Sequence, residues 1–230
     1  AVLPEKAYEP VTIPKTDKIL TRLHEIATEK GFSPSSLTNY IRNPLQFYMQ
    51  RILRINEADE VEENIAVNTL GTIIHNALEE LYTPYLNQYL ALHHIETMET
   101  KIDEVILKHF KEIYKEGEIT KGKNLLAFEV AKRNVFNFLQ LEKKDIEAGQ
   151  AIKVLLLEAE LSCEIEVKSL PFPIKIAGKV DRIEERDGNI RIIDYKTGKV
   201  LGNSLKINDF TDLTSDIKNE KIIQLLCYAL

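Results

Sequence analysis

Two segments of alternating hydrophobic and polar residues, joined by a short turn, constrain the fold of this chain more than any other feature. The segments are PIKIAGKVDRIEE, residues 173–185, and NIRIIDYK, residues 189–196. Period-2 alternation is typical of β-strands, and the intervening RDGN is a hairpin signal. An Asp187-Gly188 turn of two residues therefore predicts an antiparallel hairpin with a defined register.

In this register Asp181 lies directly opposite Asp194, and Lys196 projects from the same side as Asp194. The Cβ atoms of opposed residues are about 4.5–5.5 Å apart. Two carboxylates at this spacing repel each other unless one takes up a proton or a divalent cation lies between them. Oxygen ligands favour Mg²⁺ or Mn²⁺. A solvated hairpin edge with a Lys–Asp ion pair is the alternative.

The composition excludes several other classes of site. The chain has two cysteines, Cys163 and Cys227, and no CxxC or Cys/His cluster, which argues against a zinc or iron–sulfur site and suits a reducing cytoplasm. The sequence contains no run of about 18 apolar residues, so no membrane span is predicted. The formal net charge of −6 lacks the basic excess typical of nucleic-acid-binding proteins, although an acidic metal site can recruit phosphates through its ions.

Helical patterns precede and follow the strands. The apolar spacing predicts a helix over 16–30, and Ser33 and Pro34 predict the start of the next one. We expect an α/β (α+β) fold with a small central mixed β-sheet flanked by helices. From the sequence patterns at its two ends, we expect the chain to be a piece of a longer protein. Further helices are predicted on both sides of Pro44, over 67–82, 86–116 and 124–149, and from about 219, with a strand from about 151.

The hairpin segments carry two motifs in order. IAGKVDRI supplies Gly178, Asp181 and Arg182, and IIDYKTGK supplies the run from Asp194 to Gly198. This arrangement resembles motifs II and III of the PD-(D/E)xK nuclease superfamily, in its RecB/AddB type, whose pattern is G-x-x-D-R, a short turn and D-Y-K-T-G. The resemblance implies a restriction-endonuclease-like core.

Three further family features have counterparts here. LGTIIHNALEELY contains His75, which resembles the family's metal-ligand histidine on a G-x-x-x-H helix. IIQLLCYAL contains Gln224 and Tyr228, one helical turn apart, which in the family border the active site and touch the DNA backbone. The strand before motif II offers Glu158 and Glu160 as acidic candidates, and the spacing favours Glu160.

The front segment, FSPSSLTNYIRNPLQFYMQRIL, resembles the family's opening motif but has Asn43 where the iron–sulfur members have a cysteine. No iron–sulfur cluster is therefore expected. The resemblance divides the chain into a linker with an N-terminal helix, 1–32, and a RecB-type nuclease domain, 33–230, truncated at its C-terminus. The domain core is expected at 33–82 and 151–230, with a helical insertion at 86–149.

The resemblance implies a cytoplasmic, Mg²⁺- or Mn²⁺-dependent DNA exonuclease that serves as the nuclease module of a helicase–nuclease protein in recombination repair. Its partners would be DNA and a helicase subunit or a helicase domain of the same protein. The alternatives are a catalytically silent DNA-binding or scaffold module and an α/β domain with a chance motif.

The resemblance also implies a role for each site residue. The implied catalytic residues are Asp181, Asp194 and Lys196. The implied metal ligands are His75, Asp181, Asp194, the Tyr195 carbonyl and Glu160. The implied substrate contacts are Gln224, Tyr228 and Arg182.

Overall fold

The computed structural model describes residues 11–55, 65–114, 121–198, 202–207, 209–214 and 217–230. Within these ranges, helices flank a three-stranded sheet, as expected for the α/β class. The helices are α1 Asp17–Glu25, α2 Pro34–Arg42, α3 Pro44–Phe47, α4 Val67–Tyr82, α5 Leu92–Ile113, α6 Gly122–Glu147 and α7 Glu220–Tyr228, and the strands are β1 Ile152–Ile165, β2 Ile174–Arg186 and β3 Asn189–Ile193.

The sheet has the order β1-β2-β3, and both pairings are antiparallel. A single parallel bridge, between Phe32 and Ile176, adds the segment before α2 to β2. The predicted hairpin register is confirmed, since Arg186 pairs with Asn189 and the ladder continues to the pair of Arg182 and Ile193. The strand β3 is shorter than predicted, so the segment from Asp194 onward lies beyond the ladder.

Local sequence signals explain the helix boundaries near the N-terminus. The Ser33 hydroxyl accepts a hydrogen bond from the backbone N–H of Ser36 at 3.1 Å, which confirms the predicted cap. The stretch predicted as one helix over 16–30 is α1 followed by a π-helical turn, Ile26–Lys30. Asn43 caps α3 by accepting from the N–H of Gln46 at 3.1 Å.

The core lies between α4, α5, α6 and the sheet. Apolar side chains on one face of each helix are buried, among them Ile73, Ile106 and Leu139, and they meet Ile152 and Val154 from β1. Burial of this surface is the main stabilising contribution to the fold. No helix in the described ranges is both long enough and apolar enough to cross a membrane.

Gly31 ends the first helical segment in a backbone conformation that few other residues adopt. Its φ is 85° and its ψ is 156°, a region nearly exclusive to glycine. A Cβ at this position would lie 2.7 Å from the Cβ of Ala177 on β2. The absence of a side chain therefore allows the chain before α2 to pack directly on the sheet.

We expect Gly31→Ala to lower the free energy of unfolding by roughly 2–4 kcal/mol, because backbone strain and overpacking add. Gly149→Ala is the matched control, since Gly149 also has a positive φ, 89°, but no described atom lies within 4 Å of its Cβ position. Urea denaturation of both variants measures the difference. Equal losses of stability would show that the close approach to Ala177 is unimportant.

Candidate metal centre

Asp181 lies on β2, next to the last pair of the β2–β3 ladder. Because β3 ends at Ile193, the following segment turns toward the Asp181 carboxylate. The backbone N–H of Tyr195 donates a hydrogen bond to Oδ2 of Asp181 at 2.5 Å. Asp181 therefore holds the start of the DYKTG segment in place, and its other carboxylate oxygen remains available for further contacts.

His75 reaches the same carboxylate from α4. Its Nδ1 lies 3.3 Å from Oδ1 of Asp181. A Cβ at Gly71, one turn earlier on α4, would lie 3.6 Å from Oγ1 of Thr197, so this part of the helix packs against the DYKTG segment. The hydrogen bond to Asp181 raises the pKa of His75 against the opposing effect of burial, and a hydrogen bond to the Tyr195 carbonyl raises it further.

Glu158 approaches from β1. The ladder pairs on either side of it place it opposite Asp181. Its backbone φ is 47°, which is uncommon for a residue other than glycine, and the β1–β2 register shifts between Val154 and Leu156. Such irregularities change the direction of side chains on a strand. Oε1 of Glu158 lies 3.9 Å from Nδ1 of His75.

We refer to His75, Glu158 and Asp181 as the acid–histidine trio. One ligand atom from each residue lies within 4.8 Å of the other two. Oε1 of Glu158 is buried and has no hydrogen-bond partner in the described part of the chain, which is costly for a carboxylate oxygen. An imidazole nitrogen and two carboxylate oxygens suit a divalent cation. The residues present therefore fit the metal ion that the resemblance implies.

The structure places Glu158, and not the preferred Glu160, next to His75 and Asp181. The assignment of a glutamate as a metal ligand stays a prediction. Glu160 is exposed and lies opposite Lys179 in the ladder, away from the trio. The two glutamates would share a face in a regular strand, but the positive φ at Glu158 breaks this equivalence. Nζ of Lys179 instead binds Oε2 of Glu158 at 2.7 Å, which partly offsets the negative charge of the trio.

Asp194 lies in a second group of side chains next to the trio. Its Oδ1 accepts hydrogen bonds from Nε2 of Gln224 at 2.8 Å and from the hydroxyl of Tyr228 at 3.3 Å. Lys196 forms an ion pair with the other oxygen. Burial raises the pKa of Tyr228 to about 12, and the charges of Asp194 and Asp181 contribute to the shift.

This arrangement brings Asp194, Lys196, Gln224 and Tyr228 together as the sequence predicts, but it does not include Asp194 in the trio. The sequence predicts a metal ion between Asp181 and Asp194 on the basis of a direct cross-strand pair. Because the ladder stops before that pair, Asp194 turns toward α7. The assignment of Asp194 as a metal ligand stays a prediction.

Arg182 does not lie where the expected contact with DNA requires it. Its side chain is fully buried and forms ion pairs with Glu142 at 2.7 Å and Glu184 at 2.5 Å. The Tyr82 ring lies 4.7 Å from the guanidinium carbon. Alternation on β2 directs Arg182 to the face of the sheet opposite that of Asp181. The helices cover this face, so the Arg182 side chain does not reach solvent.

Sequence reasoning also missed Glu142, because the family motifs do not extend into the 86–149 helices. The side chain is buried on α6, and the Tyr82 hydroxyl donates a hydrogen bond to it. Its position continues the buried row of Ala131, Val135 and Leu139 at helical spacing. A glutamate in such a row is the signal that predicts a buried basic partner.

The choice between Glu158 and Glu160 as the acidic ligand can be tested with two matched substitutions. We expect Glu158→Gln to weaken Mn²⁺ binding by at least roughly tenfold, an effect comparable to the loss of a supporting group at a metal site. Glu160→Gln should leave the affinity unchanged, since Glu160 is exposed and outside the trio. Competition with a fluorescent metal indicator measures both variants. A larger loss in Glu160→Gln would make Glu160 the ligand instead.

Comparisons with known proteins extend these observations. An uncharacterized protein of Rickettsia conorii is 25% identical over 199 residues, covering 83% of this chain and 22% of the relative. An uncharacterized protein of Rickettsia typhi is 26% identical over 191 residues, which cover 77% of this chain and 20% of that relative. A subunit of the ATP-dependent helicase/deoxyribonuclease of Streptococcus agalactiae is 23% identical over 192 residues, which cover 81% of this chain and 16% of that subunit. The chain thus spans about a fifth of the length of these relatives.

The family comparison covers most of the chain. Residues 31–230 match the PD-(D/E)XK nuclease superfamily. The match includes α2 to α7 and all three strands, and with them the trio and the Asp194 group. The helices α5 and α6 lie inside the same matched range. On this match, the chain belongs to the PD-(D/E)XK nuclease superfamily.

Proposed function

We propose that this chain is a Mg²⁺- or Mn²⁺-dependent deoxyribonuclease that hydrolyses phosphodiester bonds, with exonuclease action on DNA ends. Membership of the superfamily supports nuclease activity. The observation that carries the metal dependence is the buried Oε1 of Glu158, which has no hydrogen-bond partner among the described residues and lies within ligand distance of His75 and Asp181. A cation at this position would satisfy that oxygen and offset the charge of the two carboxylates.

The roles of the residues follow from their positions. His75, Glu158 and Asp181 would hold the ion, which supplies Lewis-acid stabilisation of charge at the scissile phosphate. Lys196 is partly exposed beside Asp194, so its ammonium group can stabilise negative charge that develops on the phosphate. Gln224 holds the Asp194 carboxylate in a fixed orientation.

The same geometry gives Tyr228 a place at the edge of the site. Its hydroxyl accepts a hydrogen bond from Nε2 of Gln224 at 2.7 Å and donates to Asp194. Both side chains are partly exposed on α7, where a DNA backbone that enters the site can contact them. We retain Gln224 and Tyr228 as substrate contacts, and Asp194 and Lys196 as catalytic residues beside Asp181.

The wider role rests on the relatives. A Streptococcus agalactiae relative is named as a subunit of an ATP-dependent helicase/deoxyribonuclease, and this chain aligns with only 16% of it. We propose that residues 33–230 act as the nuclease module of a larger helicase–nuclease protein in DNA repair and recombination, with DNA and a helicase subunit or domain as partners. The low cysteine content fits a cytoplasmic location.

The direct test is digestion of end-labelled linear single- and double-stranded DNA and of circular DNA, with Mg²⁺, Mn²⁺ or EDTA. We expect metal-dependent release of 5′-phosphorylated products from the linear substrates, resistance of the circles, and loss of cleavage in Asp194→Ala. Cleavage of circles would contradict exonuclease action. A folded wild-type protein that binds DNA but cleaves none with either metal would favour a catalytically silent scaffold.

A further inference from the structure

A groove on the sheet, which we call the lysine groove, lies beside the acid–histidine trio. Its volume is about 410 Å³, and its charged lining residues are Lys30, Lys175, Lys179 and Glu160. Three ammonium groups and one carboxylate give the lining an excess of positive charge. This excess is local, because the formal net charge of the chain is −6.

Alternation along β2 connects the lysine groove to the trio. Lys175, Lys179 and Asp181 are separated by even numbers of residues, so their side chains leave the same face of the strand. Nζ of Lys179 also lies 2.7 Å from Oε2 of Glu158, so this lysine belongs to both sites. At about 3.3 Å per residue, Lys175 lies roughly 20 Å along the strand from Asp181. The lysines therefore form a row that leads away from the trio.

Backbone contacts hold the far end of the lysine groove in place. The N–H of Phe32 donates to the carbonyl of Lys175 at 2.8 Å, and the N–H of Ala177 donates to the carbonyl of Phe32 at 3.0 Å. Nζ of Lys175 donates to the carbonyl of Glu29 at 3.2 Å. This neutral acceptor fixes the ammonium group without cancelling its charge, and it directly precedes Lys30 in the chain.

Lys30 and Lys175 form no ion pair with any residue in the part of the chain that the structure describes. An ammonium group has three donors, so Lys175 keeps two after its bond to the Glu29 carbonyl. Three lysines on the helices α5 and α6 differ in this respect, since carboxylates lie 2.9–3.2 Å from the Nζ atoms of Lys108, Lys132 and Lys143. Cations that remain unpaired in a groove are available to an anionic ligand.

A solvated strand face, neutralised across the ladder, is the alternative. Glu164 lies opposite Lys175, and Glu160 lies opposite Lys179, a spacing at which opposite charges attract. Neither glutamate forms an ion pair among the described residues, because Lys175 binds a carbonyl and Lys179 binds Glu158. The contacts therefore favour a site for anions over a neutralised strand face.

We propose that the lysine groove binds the backbone phosphates of the DNA strand that enters the trio. Lysine is a point charge that binds phosphate oxygens, and contacts of this kind position a strand without reading its sequence. The inference rests on the proposed deoxyribonuclease function. It adds Lys30, Lys175 and Lys179 to the substrate contacts and assigns them the strand that lies along β2.

The test variant is the double substitution Lys30→Gln/Lys175→Gln. It keeps Lys179, whose loss would also disturb the trio. The matched control is Lys101→Gln/Lys111→Gln, which removes the same charge from two exposed lysines of α5 that do not line the groove. Fluorescence anisotropy of labelled single-stranded and duplex DNA measures affinity at several salt concentrations, with Ca²⁺ as the cation. Urea denaturation establishes folding.

We expect the groove variant to bind single-stranded DNA roughly 10–30-fold more weakly at about 0.1 M salt, because it releases fewer counterions from the phosphates. The slope of log affinity against log salt concentration should become less steep by about 0.7 for each lysine removed. The loss should be the same for unrelated sequences, and in cleavage it should fall mainly on KM for DNA.

The control variant should keep the wild-type DNA affinity and salt slope. Wild-type affinity and slope in the folded groove variant would overturn the proposal. An equal loss in the control would also overturn it, because the effect would then come from the net charge of the chain and not from the lysine groove.

The binding measurement separates this proposal from the proposed function. A wild-type protein that cleaves no DNA, but binds it with a loss confined to the groove variant, would contradict the nuclease assignment and still support the lysine groove. Cleavage by wild type, together with unchanged DNA affinity in the groove variant, would overturn the lysine groove alone. A wild-type protein that binds no DNA would overturn both.

Discussion

Asp181→Asn is expected to reduce metal-dependent DNA cleavage by roughly 10²–10³-fold or more, the cost of losing one principal electrostatic contact at an active site. Asparagine keeps the size of the side chain and an oxygen that can accept from the Tyr195 N–H. It removes the negative charge that faces His75. The loss should therefore arise from weaker metal binding and not from a changed fold.

Turnover on linear DNA and Mn²⁺ affinity are the measurements for Asp181→Asn, with circular dichroism to establish folding. Asp103→Asn is the matched control, because Asp103 is an exposed residue of α5 whose carboxylate pairs with Lys132 at 2.9 Å. It should retain wild-type turnover. Wild-type cleavage by Asp181→Asn would remove Asp181 from the catalytic site.

Arg182→Met is expected to have the largest effect on stability. It would remove the nearer cation from the buried carboxylates of Glu142 and Glu184, which both lie within 2.7 Å of the Arg182 guanidinium. Arg186, at 3.7 Å from Glu142 and 2.9 Å from Glu184, would remain as their other cationic partner. Removing one partner of a buried ion pair costs about 3–5 kcal/mol. The free energy of unfolding from urea denaturation should fall by that amount.

Arg191→Met provides the control for Arg182→Met. Arg191 lies 3.6 Å from the same Glu184, but its side chain is 47% exposed, and exposed ion pairs contribute about 0–1 kcal/mol. The comparison thus separates burial from charge pairing. Similar losses in both variants would show that Arg182 contributes no more than a surface ion pair, and that the buried network is not a structural element.

The hairpin could be predicted in register from the sequence because its turn chemistry and alternation agree. Asp187-Gly188 fixes the turn, and Asp187 and Gly188 both have positive φ values, 51° and 79°, as a two-residue primed turn requires. The pattern of charges then follows from counting along the strands. What the pattern could not show is the early end of β3, which moves Asp194 out of a direct pair with Asp181.

The choice between Glu158 and Glu160 depends on a feature that periodicity does not contain. A strand pattern assumes one backbone conformation per residue, but the positive φ at Glu158 and the register shift near it change which side chain reaches His75. The inward direction of Arg182 is equally hidden in the sequence. Its partner Glu142 lies about 40 residues away along the chain, in a segment that the motifs do not cover.

We propose that the acid–histidine trio holds the ion of a metal-dependent nuclease. Anomalous diffraction from a crystal soaked in Mn²⁺ can locate that ion. A manganese peak is expected at about 2.1 Å from ligand atoms of His75, Glu158 and Asp181. A peak bound elsewhere, or no peak at the trio in protein that cleaves DNA with Mn²⁺, would contradict it.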